Sequence, residues 1–283
     1  MLLRFLRVAL APVLLVGVAL AASPSAAAAM PTTPKVAIIV GPTGSMTPHL
    51  IDLANRVARA ARNSGATVAK AYSPNAYPRR VLRAVRNANV VVYFGHGNGY
   101  PNPYNSVITP SKVDGWGLQG PNAYGTHADS WSDGTLKYYG ESWIANHAHP
   151  AHGWVMIYSQ ACYTAGSSEP QLPPSTWHQA KLRTGYYSRT PLRMASKSGA
   201  YFATNHGDAN ELVRRLLRHP WRTYAWAFRA GDGYRSGTQR RMHHPMVGNR
   251  VLWLSPTRRS DGKLDFSYAF AGRPKATPAH TWH

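Results

Sequence analysis

Cysteine and acidic residues are both scarce in this chain of 283 residues. Cys162 is the sole cysteine, which excludes an internal disulfide. It lies far from the amino terminus, which excludes a lipid-acylation site. Only 11 aspartates and glutamates stand against 32 lysines and arginines, so the formal net charge is +21. Such a surface favours attraction to anionic cell-envelope polymers. The chain has no zinc-finger spacing, ribonucleoprotein motif or single basic helix, so we expect no specific nucleic-acid partner.

Long apolar runs are absent beyond the first 30 residues. There, Arg4 and Arg7 precede an apolar run at 8–22, and small residues follow at 23–29. This order predicts a signal peptide over residues 1–29. Because the run is shorter than the ~20 residues of a membrane-spanning helix, we expect no transmembrane segment after signal removal. The expected location is secreted, either extracellular or associated with the cell wall.

The rest of the chain alternates short apolar runs with helical periodicity, which predicts an α/β fold. After a short linker at 30–34, the domain is expected to span 35–255 and to carry a long loop insertion at about 98–151. An irregular basic tail is expected at 256–283. The strand order favours a mostly parallel sheet with helices on both faces. Its six strands are predicted at 35–40, 66–71, 89–94, 154–158, 200–204 and 250–254.

Two predicted strands end in residues that can carry chemistry. The strand at 89–94 runs into Gly95-His96-Gly97, and the strand at 154–158 runs into Ser159 and then Gln160-Ala161-Cys162. Reactive groups of an open parallel sheet collect where strands end, so neighbouring strands would bring the imidazole and the thiol to one crevice. A thiol nucleophile needs such a base, and a glycine beside the histidine lets a backbone N–H approach the substrate carbonyl.

These two motifs resemble the clan of cysteine peptidases that includes caspases, gingipains, clostripain and legumain. The resemblance implies a caspase-like three-layer fold, with His96 as general base and Cys162 as nucleophile. It also implies an oxyanion hole from the backbone N–H groups of Gly97 and Cys162, and a substrate pocket lined by Gln160. The chain departs from the caspase pattern because Tyr163-Thr164 follows the cysteine where caspases have Arg-Gly. An aspartate-specific pocket is therefore not implied.

Acidic residues near the predicted crevice stand out because so few are present. Glu169 lies seven residues beyond Cys162, and Asp208 follows the strand predicted at 200–204. A carboxylate in the pocket would select Arg or Lys before the cleaved bond. The alternative for Asp208 is a structural role as N-cap of the helix predicted at 209–218.

The expected function is an exported cysteine endopeptidase that cuts protein or peptide substrates through a Cys–His dyad, without metal or cofactor. One alternative is a noncatalytic secreted protein of the same fold that binds the cell envelope through its basic surface. A second alternative is a metal-dependent hydrolase that uses the clustered His147, His149 and His152. No His-Glu-x-x-His helix supports it, and a calcium-loop pattern beginning at Asp129 would require its glutamate at Gly140.

Overall fold

The computed structural model describes residues 33–104, 106–195, 198–205 and 209–282. The predicted signal peptide and Asp208 therefore lie outside the described residues. The α/β class predicted from the sequence is confirmed: seven helices in the described residues surround a mixed sheet of eight strands. No helix within the described ranges combines the length and the hydropathy needed to cross a bilayer.

Five parallel strands form the first part of the sheet. Buried β-branched residues, as in Lys35–Val40, form strands that are covered on both faces. The five strands are β1 (Lys35–Val40), β2 (Thr67–Tyr72), β3 (Val90–Phe94), β6 (Val155–Ser159) and β7 (Ala200–Thr204). Crossovers between them give the spatial order β2-β1-β3-β6-β7.

Three antiparallel strands extend the sheet beyond β7, so the expected six-stranded, mostly parallel sheet was wrong in this half. The edge runs β7-β12-β9-β8, and each neighbouring pair is antiparallel. The strand expected at 250–254 is β9, and its partner β12 comes from the segment that was expected to be an irregular tail. Strand β12 alternates aromatic residues with Ala and Gly, which have low strand propensity, but neighbours on both sides bury it. The three strands are β8 (Arg240–His243), β9 (Val251–Leu254) and β12 (Tyr268–Gly272).

Helices cover both faces of the sheet and create two separate cores. On one face, α1 and α5 pack with alternate strand residues such as Ile38 and Phe202. On the other face, α2 and α4 pack with Ile39 and Tyr201. The helices are α1 (Thr47–Arg62), α2 (Pro78–Val85), α3 (Glu141–His147), α4 (Trp177–Met194), α5 (Ala209–Arg218), α6 (Tyr224–Arg229) and α7 (Pro278–Thr281).

The insertion at 98–151 is ordered by a small antiparallel pair of strands, β4 (Trp116–Gln119) and β5 (Leu136–Tyr139). Helix α3 follows, and its Glu141 forms an ion pair with Arg189 of α4. A second pair of short strands, β10 (Thr257–Arg258) and β11 (Leu264–Asp265), lies in the carboxy-terminal segment. The insertion is therefore a folded segment, and its Trp116, Leu118 and Ile144 pack into the core on the face covered by α2 and α4.

Candidate active site

His96 and Cys162 follow the ends of neighbouring strands. Strands β3 and β6 pair in parallel, with Phe94 opposite Ser159. Both residues therefore leave the sheet at the same edge, and their side chains line one cavity of about 500 Å³, here called the histidine cavity. Across the described residues no hydrogen bond joins the His96 ring to the Cys162 sulfur. The geometry brings a base and a thiol to one crevice without pairing them directly.

Gly97 packs directly against the backbone of Cys162. A methyl group added at Gly97 would lie 2.0 Å from the carbonyl oxygen of Cys162 and 2.8 Å from its nitrogen, so only glycine fits. Within the part of the chain that the structure describes, neither the Gly97 N–H nor the Cys162 N–H donates to a carbonyl or to another side chain. Backbone N–H groups that have no carbonyl partner and lie near a nucleophile can stabilise an oxyanion.

Asp129 holds the imidazole of His96 through a short polar contact. Its Oδ2 lies 2.9 Å from His96 Nε2, and both side chains are about one-third exposed, at 36% each. The Trp131 ring lies 6.3 Å from the His96 ring and flanks it on the solvent side. A carboxylate bonded to Nε2 fixes the ring orientation and leaves Nδ1 available for proton exchange.

The hydroxyl of Tyr93 ties the histidine segment to the insertion. It accepts a hydrogen bond of 2.8 Å from the Gly117 N–H and lies 2.9 Å from the carbonyl oxygen of His96. Tyr93 is fully buried, one residue before the end of β3. Because Gly117 belongs to β4, this contact sets the position of the insertion relative to the segment that carries His96.

The thiol of Cys162 is protonated at neutral pH. Burial raises the pKa of Cys162 to about 11, and the nearby negative charge of Glu169 adds to the effect. The residue's own backbone N–H opposes this shift only weakly. A thiol of this kind reacts when a base removes its proton during the attack, because little thiolate is present beforehand.

Glu169 lies on the wall between two cavities that meet at Cys162. Together with Cys162 and Pro170 it lines the histidine cavity and also a second cavity of about 460 Å³, here called the thiol cavity. Two tyrosine hydroxyls hold its carboxylate: Tyr104 donates to Oε2 at 2.7 Å and Tyr163 donates to Oε1 at 2.6 Å. The carboxylate is therefore fixed beside the thiol.

The loop that carries Glu169 is fastened by Arg183 of α4. Its guanidinium donates to the carbonyl oxygen of Pro101 at 2.8 Å and to Ser168 Oγ at 2.8 Å, and it also bonds Ser175 Oγ. The same guanidinium lies 4.8 Å from the centroid of the Tyr163 ring. One buried cation thus connects the loop after Cys162, the insertion and α4.

The other residues expected at the site have different positions. Gln160 lines the thiol cavity, with φ at 56° and its N–H donating to the carbonyl oxygen of Thr204 at 3.0 Å. His147 lies away from the crevice, stacked on Trp143. Within the described ranges, no group of three or more His, Cys, Asp or Glu side chains is arranged to hold a metal ion.

Asp129 is the site residue that sequence reasoning missed as a histidine partner. From the sequence alone, Asp129 was considered only as the first position of an incomplete calcium-loop pattern. In the structure its carboxylate contacts His96, while Asp133 accepts from the Thr135 N–H at 2.9 Å and closes a turn. The aspartate lies 33 residues beyond His96, and only the folded insertion brings the two together. A scan against protein-family models found no match, and a search of curated proteins found none either.

Proposed function

We propose that this protein is an exported cysteine endopeptidase with the fold and the mechanism of the caspase–gingipain–clostripain type. One observation carries the proposal: at two adjacent strand ends, a histidine bonded to an aspartate and a lone cysteine line the same cavity, and Gly97 packs on the cysteine backbone. Within the described residues, neither the Gly97 N–H nor the Cys162 N–H donates to a carbonyl, which adds to this support.

The proposed reaction begins when the Cys162 sulfur attacks a peptide carbonyl carbon while His96 Nδ1 takes the thiol proton. The carbonyl oxygen becomes an oxyanion that accepts hydrogen bonds from the N–H groups of Gly97 and Cys162. The C–N bond then breaks, and His96 returns the proton to the leaving amine. Water attacks the resulting thioester with His96 again as base, which releases the acid and restores the thiol. Asp129 holds the ring and stabilises the imidazolium form throughout.

The proposed substrate has Arg or Lys before the cleaved bond. Support comes from the fixed carboxylate of Glu169 beside Cys162, and from Asp265, which lines the same thiol cavity. The thiol cavity also contains Arg259, whose side chain pairs with Asp261 at 3.7 Å.

The test of the proposed activity and specificity measures cleavage of fluorogenic peptides that have Arg, Lys, Ala or Asp before the reporter group. We expect the mature protein to cut the Arg and Lys peptides, and Cys162→Ala and His96→Ala to lose this activity. His147→Ala is the matched control, because this histidine lies outside the crevice, and it should retain full activity. Activity that survives in Cys162→Ala would refute the proposal, and cutting restricted to the Ala or Asp peptides would refute the basic specificity alone.

Retention at the cell envelope is the proposed role of the basic surface. Arginines on the outer faces of two helices are exposed and point away from the crevice-forming core; they are Arg56, Arg59, Arg62, Arg79, Arg80 and Arg83. Exposed charges attract anionic polymers over a distance of ~8 Å at physiological salt. Salt should therefore release the protein from an anionic matrix, and retention in molar salt would contradict simple electrostatic binding.

A further inference from the structure

A cavity of about 370 Å³ lies at the opposite end of the sheet from the thiol. It is bordered by the end of α4, the connection between β8 and β9, and the residue that follows β12. The pairing of the strands shows this location. Gly272 of β12 pairs with Ala200, the first residue of β7, whereas Cys162 follows the last residue of β6, which runs parallel to β7. The cavity therefore belongs to neither of the two cavities that meet at Cys162.

Three arginines supply the charged groups of this cavity, and no Asp or Glu lines it in the described part of the chain. They are Arg193, Arg250 and Arg273. Arg250 is only 4% exposed, whereas Arg193 and Arg273 are exposed at the rim. Among the residues described, neither Arg193 nor Arg273 pairs with a carboxylate. Such a concentration of positive charge is costly unless an anion compensates it.

The positively charged groups around the cavity lie close enough to affect one another's pKa values. Burial lowers the pKa of Arg250, and the neighbouring charge of Arg273 lowers it further. His244 lies behind the cavity, and its pKa falls to about 4 because of burial and the charges of Arg193 and Arg250. A bound anion would relieve the repulsion that these groups exert on one another.

The wall formed by residues 247–250 is held in place by neutral His244. Its Nδ1 accepts the backbone N–H groups of Met246 and Val247, each at 3.0 Å. On its other side, Nε2 lies 2.9 Å from Ser188 Oγ of α4. This arrangement fastens the connection between β8 and β9 to the helix that supplies Arg193. The arginines thus surround a preformed space, which lowers the entropic cost of binding.

We propose that this cavity binds a phosphate group. The three arginines that line the cavity come from three segments, and guanidinium groups in such a set match a tetrahedral anion with several acceptor oxygens better than a carboxylate, which has two oxygens and one charge. The space also accommodates a small substituent on the phosphate, such as glycerol. The phosphate belongs to a free ester, a polymer or a lipid headgroup, since all three present the same chemistry to the arginines.

Calorimetric titration with inorganic phosphate at low ionic strength tests the proposal, with sodium chloride at equal ionic strength as the reference. We expect one saturable site, and at least about tenfold weaker binding in the double variant Arg193→Gln/Arg273→Gln. Arg222→Gln/Arg229→Gln is the matched control, because it removes the same charge from exposed side chains outside this cavity and outside the arginine surface proposed for envelope retention, and it should bind as the wild type does. Thermal unfolding of both variants checks that they are folded.

Two results would overturn the proposal: no saturable binding to the wild type, or equal weakening in both double variants. Glycerol 3-phosphate and phosphatidylglycerol vesicles then distinguish the sources. Competition by glycerol 3-phosphate supports a soluble or polymeric ester, and vesicle binding that is lost only in Arg193→Gln/Arg273→Gln supports a lipid headgroup. Because none of these measurements involves peptide cleavage, their outcome is independent of the peptidase proposal.

Discussion

At the scale of single residues, the chemistry of the site depends on how each carboxylate is placed. Asp129 contacts a histidine at 2.9 Å, Glu169 is held by two tyrosines, and Asp114 is buried with only a backbone partner for Oδ1. The same functional group therefore orients His96 at Asp129, selects a basic substrate at Glu169 and affects stability at Asp114. Each task can be tested by replacing the carboxylate with its neutral amide.

Replacing Asp129 by Asn should slow catalysis without weakening substrate binding. The amide keeps the size of the side chain but loses the charge that stabilises the imidazolium, so we expect kcat to fall on the order of 100-fold. KM should stay within about twofold, because Asp129 lies on the far side of the imidazole. Asp52→Asn, on the exposed face of α1, serves as control. Equal kcat values for Asp129→Asn and the wild type would exclude the positioning role.

Replacing Glu169 by Gln should change two rates in opposite directions. Removing the negative charge lowers the pKa of Cys162 from about 11, so alkylation by iodoacetamide at pH 8 should become faster. Cleavage after Arg should become slower at the same time, because the partner of the basic side chain is lost. Glu211→Gln on α5 should leave both rates unchanged. Slower alkylation in Glu169→Gln would contradict the assigned electrostatics.

Replacing Asp114 by Asn should stabilise the protein at neutral pH. Burial and the charge of Glu141 hold the pKa of Asp114 well above its usual range, so folding favours the protonated form of this carboxyl. Above the unfolded pKa of ~3.9 the unfolded chain releases that proton, so the wild type loses stability as pH rises. Asn mimics the protonated acid and tolerates the positive φ of 59°. Thermal melts should show a gain at pH 7 that disappears near pH 3; a loss at pH 7 would contradict the account.

At the scale of elements, α4 shows most clearly where sequence patterns fail. In this part of the chain the sequence pattern predicts a helix no longer than 192–197, yet α4 runs over Trp177–Met194 and begins with a Thr176–Gln179 capping box. Its buried face includes Arg183, Thr184 and Gly185, so the apolar periodicity that marks a helix is weak. Arg183 is buried among them because it bonds other segments of the site.

Arg183→Met should loosen the loop that carries Glu169. The substitution leaves the acceptors on Pro101, Ser168 and Ser175 without their donor, which should cost about 2–3 kcal/mol of unfolding free energy. Denaturant titration measures that loss, and hydrogen exchange should show faster exchange at 163–175. Lys181→Met on the same helix is the control. Unchanged exchange in that loop would show that Arg183 does not fasten it.

Strands with simple patterns were predictable, and those with mixed patterns were not. The all-apolar segments at β1, β3 and β6 identify buried parallel strands from sequence alone, and the two site motifs follow from their ends. Strand β12 was missed because its Ala and Gly residues gain their burial only from β7 and β9. The contact between Asp129 and His96 was missed for the same reason, since it depends on how the insertion folds.

At the scale of the whole molecule, the charged and reactive groups occupy separate regions. The thiol and histidine cavities lie at the carboxyl ends of the parallel strands, and the arginine cavity lies at the other end of the sheet. Exposed arginines on the helices occupy the outer faces. A protein organised in this way can be held at an anionic surface while its crevice stays accessible to a substrate.

The most direct test of the central claim is mass spectrometry of the mature protein after treatment with an arginyl acyloxymethyl ketone, which alkylates a cysteine that has been activated within a peptidase site. Binding of the basic group beside Glu169 should bring the ketone to the thiol, and His96 should accept the proton as the thioether forms. We expect one adduct on Cys162 in the wild type and in His147→Ala, and none in His96→Ala. Equal labelling of Cys162 in His96→Ala and the wild type, or no adduct on Cys162 in the wild type, would contradict the Cys–His dyad.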